Sequence, residues 1–241
     1  MKISVIIPAY NEEGLLGACL ESVKEAFGGS AGLGLEHEVI VCDNNSSDAT
    51  AGIAAGTGAR VVFEPVNQIG RARNAGAAAA AGEWLLFIDA DSRLSSSTLE
   101  QLAAAIKTGR CCGGGALAGL EGVPGLLPRL ASLSWNLVSR AFRLAGGAFF
   151  FCRADAFRET GGFSLELYAA EELDLSRRLA RWGRARGLGF VILPGPHMSS
   201  GRKFRLYNPA DFLVLLVLLV LRPGSTLRDP RRLKYLYNGR R

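Results

Sequence analysis

Short apolar runs alternate with stretches of helical period along the first half of the chain. Residues 3–7, 39–42, 61–63 and 84–88 are apolar without alternation and read as buried strands. Between the first two, Leu15, Leu16, Cys19, Leu20, Val23 and Phe27 recur at helical spacing, and the Ala-rich stretch 71–81 reads as a second helix. Asn11 suits the cap of the first helix, with Glu12 and Glu13 in its opening turn. Strands apolar on both faces and separated by helices predict a parallel sheet covered on both sides.

The second half is less regular. A helix is expected over 99–107, and Leu130, Leu133, Leu137 and Phe142 mark another. Residues 148–152 read as a strand with Phe149, Phe150 and Phe151 in the core, 169–182 as a helix and 190–193 as a last strand. The Gly-rich stretch 111–125 reads as loop with a short strand. No internal repeat is visible, and no linker before about residue 205. The run 212–221 is uninterruptedly apolar; as a helix it spans roughly 15 Å, half of a bilayer core of roughly 30 Å. It suits an interfacial helix, a partner-facing helix or a docked core helix.

Charge sharpens the view of this tail. The net charge is +6, and from Arg222 onward seven basic residues face Asp229 alone, which is the whole excess. A nucleic-acid binder would spread such charge over a face of its fold, so nucleic acid is not an expected partner. A basic tail after an apolar run points to an anionic membrane surface. With 49% hydrophobic and 21% charged residues, the 241-residue chain is globular rather than disordered. Its five cysteines lack metal spacing; Cys19, Cys42 and Cys152 sit in apolar runs and read as small buried hydrophobes. The N-terminal apolar run is too short for a signal peptide. The expected location is a reducing cytoplasm, with the tail as a peripheral hold on the cytoplasmic face of the membrane.

Candidate chemistry gathers where strands end, the usual ligand site of open parallel sheets. The first run ends in Pro8-Ala-Tyr10-Asn11-Glu12, the second in Asp43-Asn-Asn-Ser-Ser-Asp48 and the fourth in Asp89-Ala-Asp91. Acids from several strand ends converging on one place need a cation or a donor-rich ligand. On an extended chain Asp89 and Asp91 face one side, a pairing suited to a hard divalent cation that also takes phosphate oxygens. Only His37 and His197 are available as histidines, so a three-His zinc site is excluded. The pattern Gly113-Gly-Gly-Ala-Leu-Ala118 follows a helix-like segment, not a first strand, and no Walker-type loop occurs, so dinucleotide and ATP sites are not expected.

Taken together, residues 5–13, 43–48, Gly70-Arg-Ala-Arg-Asn-Ala-Gly76, Phe87-Ile-Asp-Ala-Asp91, Gly161-Gly-Phe163 and Glu171-Glu-Leu-Asp-Leu175 closely resemble the family 2 glycosyltransferases of GT-A fold, over roughly residues 1–195. The resemblance implies one catalytic domain over 1–205, with a nucleotide-sugar half at 1–110 and an acceptor half at 111–205. The apolar helix and basic tail follow at 206–241. It implies that Pro8, Tyr10 and Glu12 line the base and ribose, Asp43 accepts a bond from the base edge, and Arg73 approaches base or diphosphate. It places Asp89 near ribose or sugar and Asp91 on a Mg²⁺ or Mn²⁺ ion bridging the diphosphate. Some relatives use a histidine at the place of His197 as a further metal ligand; a hydrogen-bonding loop histidine is the competing reading.

The resemblance also makes the Glu171-Glu172 pair supply the general base, with Glu172 standing where Asp is usual and Glu171 as its rival; as first-turn acids they would only stabilise a helix. Asp174 would brace that helix or contact the sugar. By their own residue types, Ser199, Ser200, Arg202 and Lys203 suit a Gly-containing basic loop able to close over a diphosphate, with a solvated loop as the competing reading. The expected activity is an inverting, metal-assisted transfer of one sugar from a nucleotide-diphosphate donor, UDP favoured, to a sugar, lipid or small-molecule acceptor. The Glu172 departure leaves one competitor, a non-catalytic nucleotide-sugar-binding or membrane-scaffolding protein.

Overall fold

The computed structural model describes residues 1–29, 31–121, 126–200, 227–229, 231 and 233. The run 212–221, Arg202, Lys203 and most of the basic tail lie outside the described residues. The elements are β1 (Lys2–Ala9), α1 (Leu16–Gly29), β2 (Glu36–Asp43), α2 (Thr50–Gly56), β3 (Arg60–Phe63), α3 (Ile69–Ala79) and β4 (Trp84–Ile88). There follow β5 (Ser92–Arg93), α4 (Ser96–Lys107), β6 (Cys111–Glu121), α5 (Leu126–Phe142), β7 (Phe149–Arg153), α6 (Ala154–Glu159), α7 (Glu171–Arg184) and β8 (Gly189–Ser200).

The strands form one eight-stranded sheet in the order β3-β2-β1-β4-β7-β6-β8-β5. β1 pairs in parallel with β2 and β4, β2 with β3, and β6 with β8. Only β7 and β5 run antiparallel to their neighbours. This is the mostly parallel, helix-flanked sheet that the pattern predicts.

Side-chain alternation along the strands feeds two cores. Val5, Ile7, Leu86 and Ile88 face one side, where α1 and α4 contribute Leu16, Val23, Leu99 and Leu102. Ile6, Leu85 and Phe87 face the other, with Phe150, Phe157, Phe163, Leu175 and Phe190. The Phe87 ring lies 5.1 Å from Phe163 and 6.3 Å from Phe150, so both halves of the chain share this core. All five cysteines are free and buried, Cys19 and Cys111 on the first face, Cys42, Cys112 and Cys152 on the second.

Four local readings are corrected. The strand expected at 61–63 forms as β3, but at the edge of the sheet it is not buried: Val61 is 36% and Phe63 60% exposed. Residues 111–121 are not loop but the long strand β6. Its glycines mark close approach: a Cβ on Gly114 would strike the Val191 carbonyl and the Phe151 ring, and one on Gly115 would lie 2.5 Å from Ala145 Cβ. Asn11 does not cap α1, which starts at Leu16. It takes a left-handed φ of 53° and its Oδ1 accepts from the Ser47 amide at 2.8 Å, tying the β1 and β2 exits together. Strand β8 runs on to Ser200, so Ser199 and Ser200 pair with β5 and β6 and do not belong to a loop. The pairing slips at Ala116–Leu117, which accommodates Pro194 and Pro196 in a strand. The short elements α2, α6 and β5 carry no periodic signal in the sequence.

Candidate active site

The parallel register sets Ala9 beside Asp43 and the end of β4 next to them. Because β7 is antiparallel, its first residue Phe149 pairs with Ile88 at this same end. Pro8 is buried in β1 and Tyr10 half-buried just beyond it. The buried Glu12 is held by its backbone, its amide donating to Thr50 Oγ1 at 2.8 Å and its carbonyl accepting from Leu15 and Leu16. Asp43 is buried, and its Oδ1 accepts from the Ser46 amide at 3.1 Å, so the turn after β2 fixes the carboxylate.

Arg73 is the hub. Helix α3 carries it into the interior, where 2% of the side chain remains exposed. Its Nη1 donates to Glu171 Oε1 at 2.7 Å, and its Nη2 to Asp89 Oδ1 at 3.0 Å and to the Gly147 carbonyl at 3.2 Å. The guanidinium lies 5.2 Å from the Phe163 ring. In the structure Arg73 is engaged by Asp89, Glu171 and the Gly147 carbonyl. Gly147 makes it fit, since a Cβ there would stand 2.6 Å from Nη2. Next to Arg73, Asn74 exchanges two 2.9 Å bonds with the Phe163 backbone, so α3 also fixes the Gly161-Gly-Phe163 segment.

Asp89 and Asp91 are not extended. The Ser92 amide bonds the Asp89 carbonyl at 3.0 Å, closing a turn that gives the two acids separate partners. Asp89 faces Arg73, while Asp91 Oδ2 accepts from Ser200 Oγ at 2.7 Å. Glu171 opens α7 after Ala170, whose φ of 61° is left-handed. Burial, and the adjacent Glu172 carboxylate, push Glu171 up to about 8 against the pull of Arg73. Glu172 is half-buried, with Oε1 beside Gly147. Asp174 pairs with Arg178 at 2.7 Å, and Arg178 Nη2 also bonds the Gly162 carbonyl at 2.7 Å, so Asp174 braces the loop before α7.

His197 lies in β8 with 2% exposure, its ring 5.0 Å from Phe149. Burial pushes it down to about 4, so the imidazole is neutral. Neither ring nitrogen finds a hydrogen-bond partner among the described residues, a costly state that a metal or ligand would relieve. Among the described residues no three His, Cys, Asp or Glu side chains gather closely enough to hold an ion by themselves. Asp91 nonetheless offers a hard oxygen donor and His197 an unpartnered neutral nitrogen, donor types that a divalent cation takes alongside phosphate oxygens.

Sequence reasoning missed Gly147, Asn44 and Gln68. Asn44 bonds the Glu64 and Val66 carbonyls at 3.0 and 2.6 Å, and Gln68 bonds those of Leu165 and Leu167 at 2.9 Å, linking the turn after β2 to the loop before α7. Buried amides beside strand ends were the available signal. Ser200, expected in a loop, is instead a strand residue that partners Asp91.

An eight-stranded, mostly parallel sheet with acids and one buried arginine at its carboxyl edge defines an α/β protein of the GT-A class. The sequence model described as "Glycosyl transferase family 2" matches residues 4–157, and the chain belongs to that family. An uncharacterized glycosyltransferase of Mycobacterium tuberculosis is 33% identical over 138 residues, 57% of this chain and 54% of the relative. The chain spans about half the length of the curated relatives it matches. The fold matches the mannosyltransferase PcManGT from Pyrobaculum calidifontis in complex with GDP-Man and Mn²⁺, with a TM-score of 0.66 at 19% identity over 98% of this chain and 68% of that one. It also matches Staphylococcus aureus TarS in complex with UDP-GlcNAc, with a TM-score of 0.65 at 19% identity over 98% and 69%. No helix among the described residues is long and apolar enough to cross a membrane.

Proposed function

We propose that this chain is an inverting glycosyltransferase that moves a sugar from a nucleotide-diphosphate donor, UDP favoured, to an acceptor hydroxyl. The observation that carries the reading is the Arg73 clamp, which locks the donor-side Asp89 to the acceptor-side Glu171 at the edge where Asp43 and Asp91 also end. Family membership and the nucleotide sugars bound by PcManGT and TarS support the same donor class.

Residues 1–110 form the nucleotide-sugar half and 111–205 the acceptor half, with 206–241 as tail. Pro8, Tyr10 and Glu12 line the base and ribose, and Asp43 accepts from the base edge. Glu172 is the base, because Glu171 Oε1 is already held by Arg73 deep in the protein whereas Glu172 is half-exposed. Glu172 takes the acceptor proton as the acceptor oxygen bonds to the anomeric carbon. The bond from that carbon to the diphosphate oxygen breaks with its electron pair leaving on the nucleotide, so the configuration inverts. Asp91 and His197 would hold Mg²⁺ or Mn²⁺, which when bound offsets the charge of the leaving diphosphate. Arg73 acts as a positioning residue, keeping Asp89 and Glu171 in place.

Thermal unfolding with UDP, GDP, CDP and dTDP, each with and without Mn²⁺, tests the reading. One nucleotide should raise the midpoint only with metal, by mass action on the folded state, and the shift should vanish in Asp91→Ala. Glu172→Gln should keep the shift and lose about 10²–10⁴-fold in kcat. A folded protein that no nucleotide stabilises would sink the proposal.

A further inference from the structure

Helix α5 is inside out. Its polar side faces the protein: Ser132 Oγ donates to the Ala118 carbonyl at 2.8 Å, and Asn136 both accepts from the Ala118 amide at 2.8 Å and donates to its carbonyl at 3.0 Å. One turn on, the buried Ser139 donates to the Leu144 carbonyl at 2.7 Å. The opposite side carries Leu130, Leu133, Leu137, Val138 and Phe142, and Leu133, Leu137 and Phe142 are 65%, 71% and 71% exposed. At 3.6 residues per turn these positions fall on one outward face, whose one polar side chain is the exposed Ser134. A helix of a water-soluble domain turns such a stripe to the core, so this one is shaped for an apolar partner.

Charge selects the partner. Arg129, Arg140 and Arg143 are exposed beside the stripe, and no Asp or Glu occurs between Glu121 and Asp155. An apolar face flanked along its own segment by arginines and no acid is the surface that lies in a membrane interface, with its side chains among the acyl chains and its guanidinium groups on anionic headgroups. The helix is also coupled to the site. Trp135 lies against Gly146, where a Cβ would stand 3.5 Å from the ring, and the next residue, Gly147, gives its carbonyl to Arg73.

We propose that α5 docks this protein on the surface of an anionic lipid bilayer and thereby turns the acceptor side of the cleft toward the headgroups. The docking stands apart from the apolar run and basic tail, and it does not depend on which donor the cleft takes.

Co-sedimentation of the full chain with phosphatidylcholine vesicles, with and without phosphatidylglycerol, tests it without any turnover. The chain should bind the anionic vesicles, and binding should weaken with salt. The variant Leu133→Ser/Leu137→Ser/Phe142→Ser should bind at least about tenfold more weakly, with an unchanged thermal midpoint. Arg140→Glu/Arg143→Glu should lose the preference for anionic lipid. Four results would each overturn the proposal. The chain could ignore both vesicle types, or the triple variant could bind as well as the parent. Light scattering could show a dimer that the triple variant dissociates, assigning the stripe to a second copy. A drop of several degrees in the variant's midpoint would assign it to the chain's own packing.

Discussion

One guanidinium among several carboxylates sets the character of the site. Arg73 is buried with two acids against it, and removing it strands them in the interior. Arg73→Ala should therefore lower unfolding stability by about 3–5 kcal/mol in urea titrations. Arg73→Lys should rescue only part of this, since an ammonium cannot fork to two carboxylates and a carbonyl. Glu171 adds a pH signature. Its folded value of about 8 lies above the ordinary 4.5, so its contribution to stability is full below 4.5 and is lost as pH rises through 8. His197 runs the other way: its folded value of about 4 lies below the ordinary 6.5, so its contribution is present above 6.5 and is lost as pH falls toward 4. Between pH 6.5 and 8 the Glu171 effect stands alone. The thermal midpoint should fall across that window in the parent and stay level in Glu171→Gln. Asp43, Asp89 and Asp91 were legible because acids from several strand ends of one sheet converge, whereas the Glu171-Glu172 pair, at the start of a helix, was legible only through the family resemblance. Their partners were not, because Arg73, Gly147 and Ser200 come from elements distant in sequence.

At the scale of elements, periodicity located each strand whose side chains alternate between two packed faces, as in β1 and β4. It failed for β6, where glycine signals tight packing instead of a turn. Gly114→Ala should cost at least about 1–3 kcal/mol in urea titrations, because neither the Val191 carbonyl nor the Phe151 ring has room to move. Periodicity also cannot say which way a helix faces. Leu130, Leu133 and Leu137 announce α5, yet they point outward because Ser132 and Asn136 bond the Ala118 backbone on the inner side. For β8, Pro194 and Pro196 hid a strand that continues past its apolar start at 190–193 through Ser200.

For the whole molecule, the proposed donor and acceptor halves are not separate folding units, since Phe87 of the first packs on Phe150 and Phe163 of the second and β4 pairs with β7. Residues 1–110 expressed alone should lack a fixed core, giving no near-ultraviolet circular dichroism and binding hydrophobic dye. The intact chain should unfold in one transition. The buried cysteines give that expectation a clock. Burial pushes Cys19 and Cys42 each up to about 12 and Cys152 well above its ordinary value, so folded protein presents almost no thiolate. A thiol reagent then marks only molecules that have opened. Because Cys19 lies under one face of the sheet and Cys42 and Cys152 under the other, the order in which they are alkylated reads out whether the two faces come apart together or in turn.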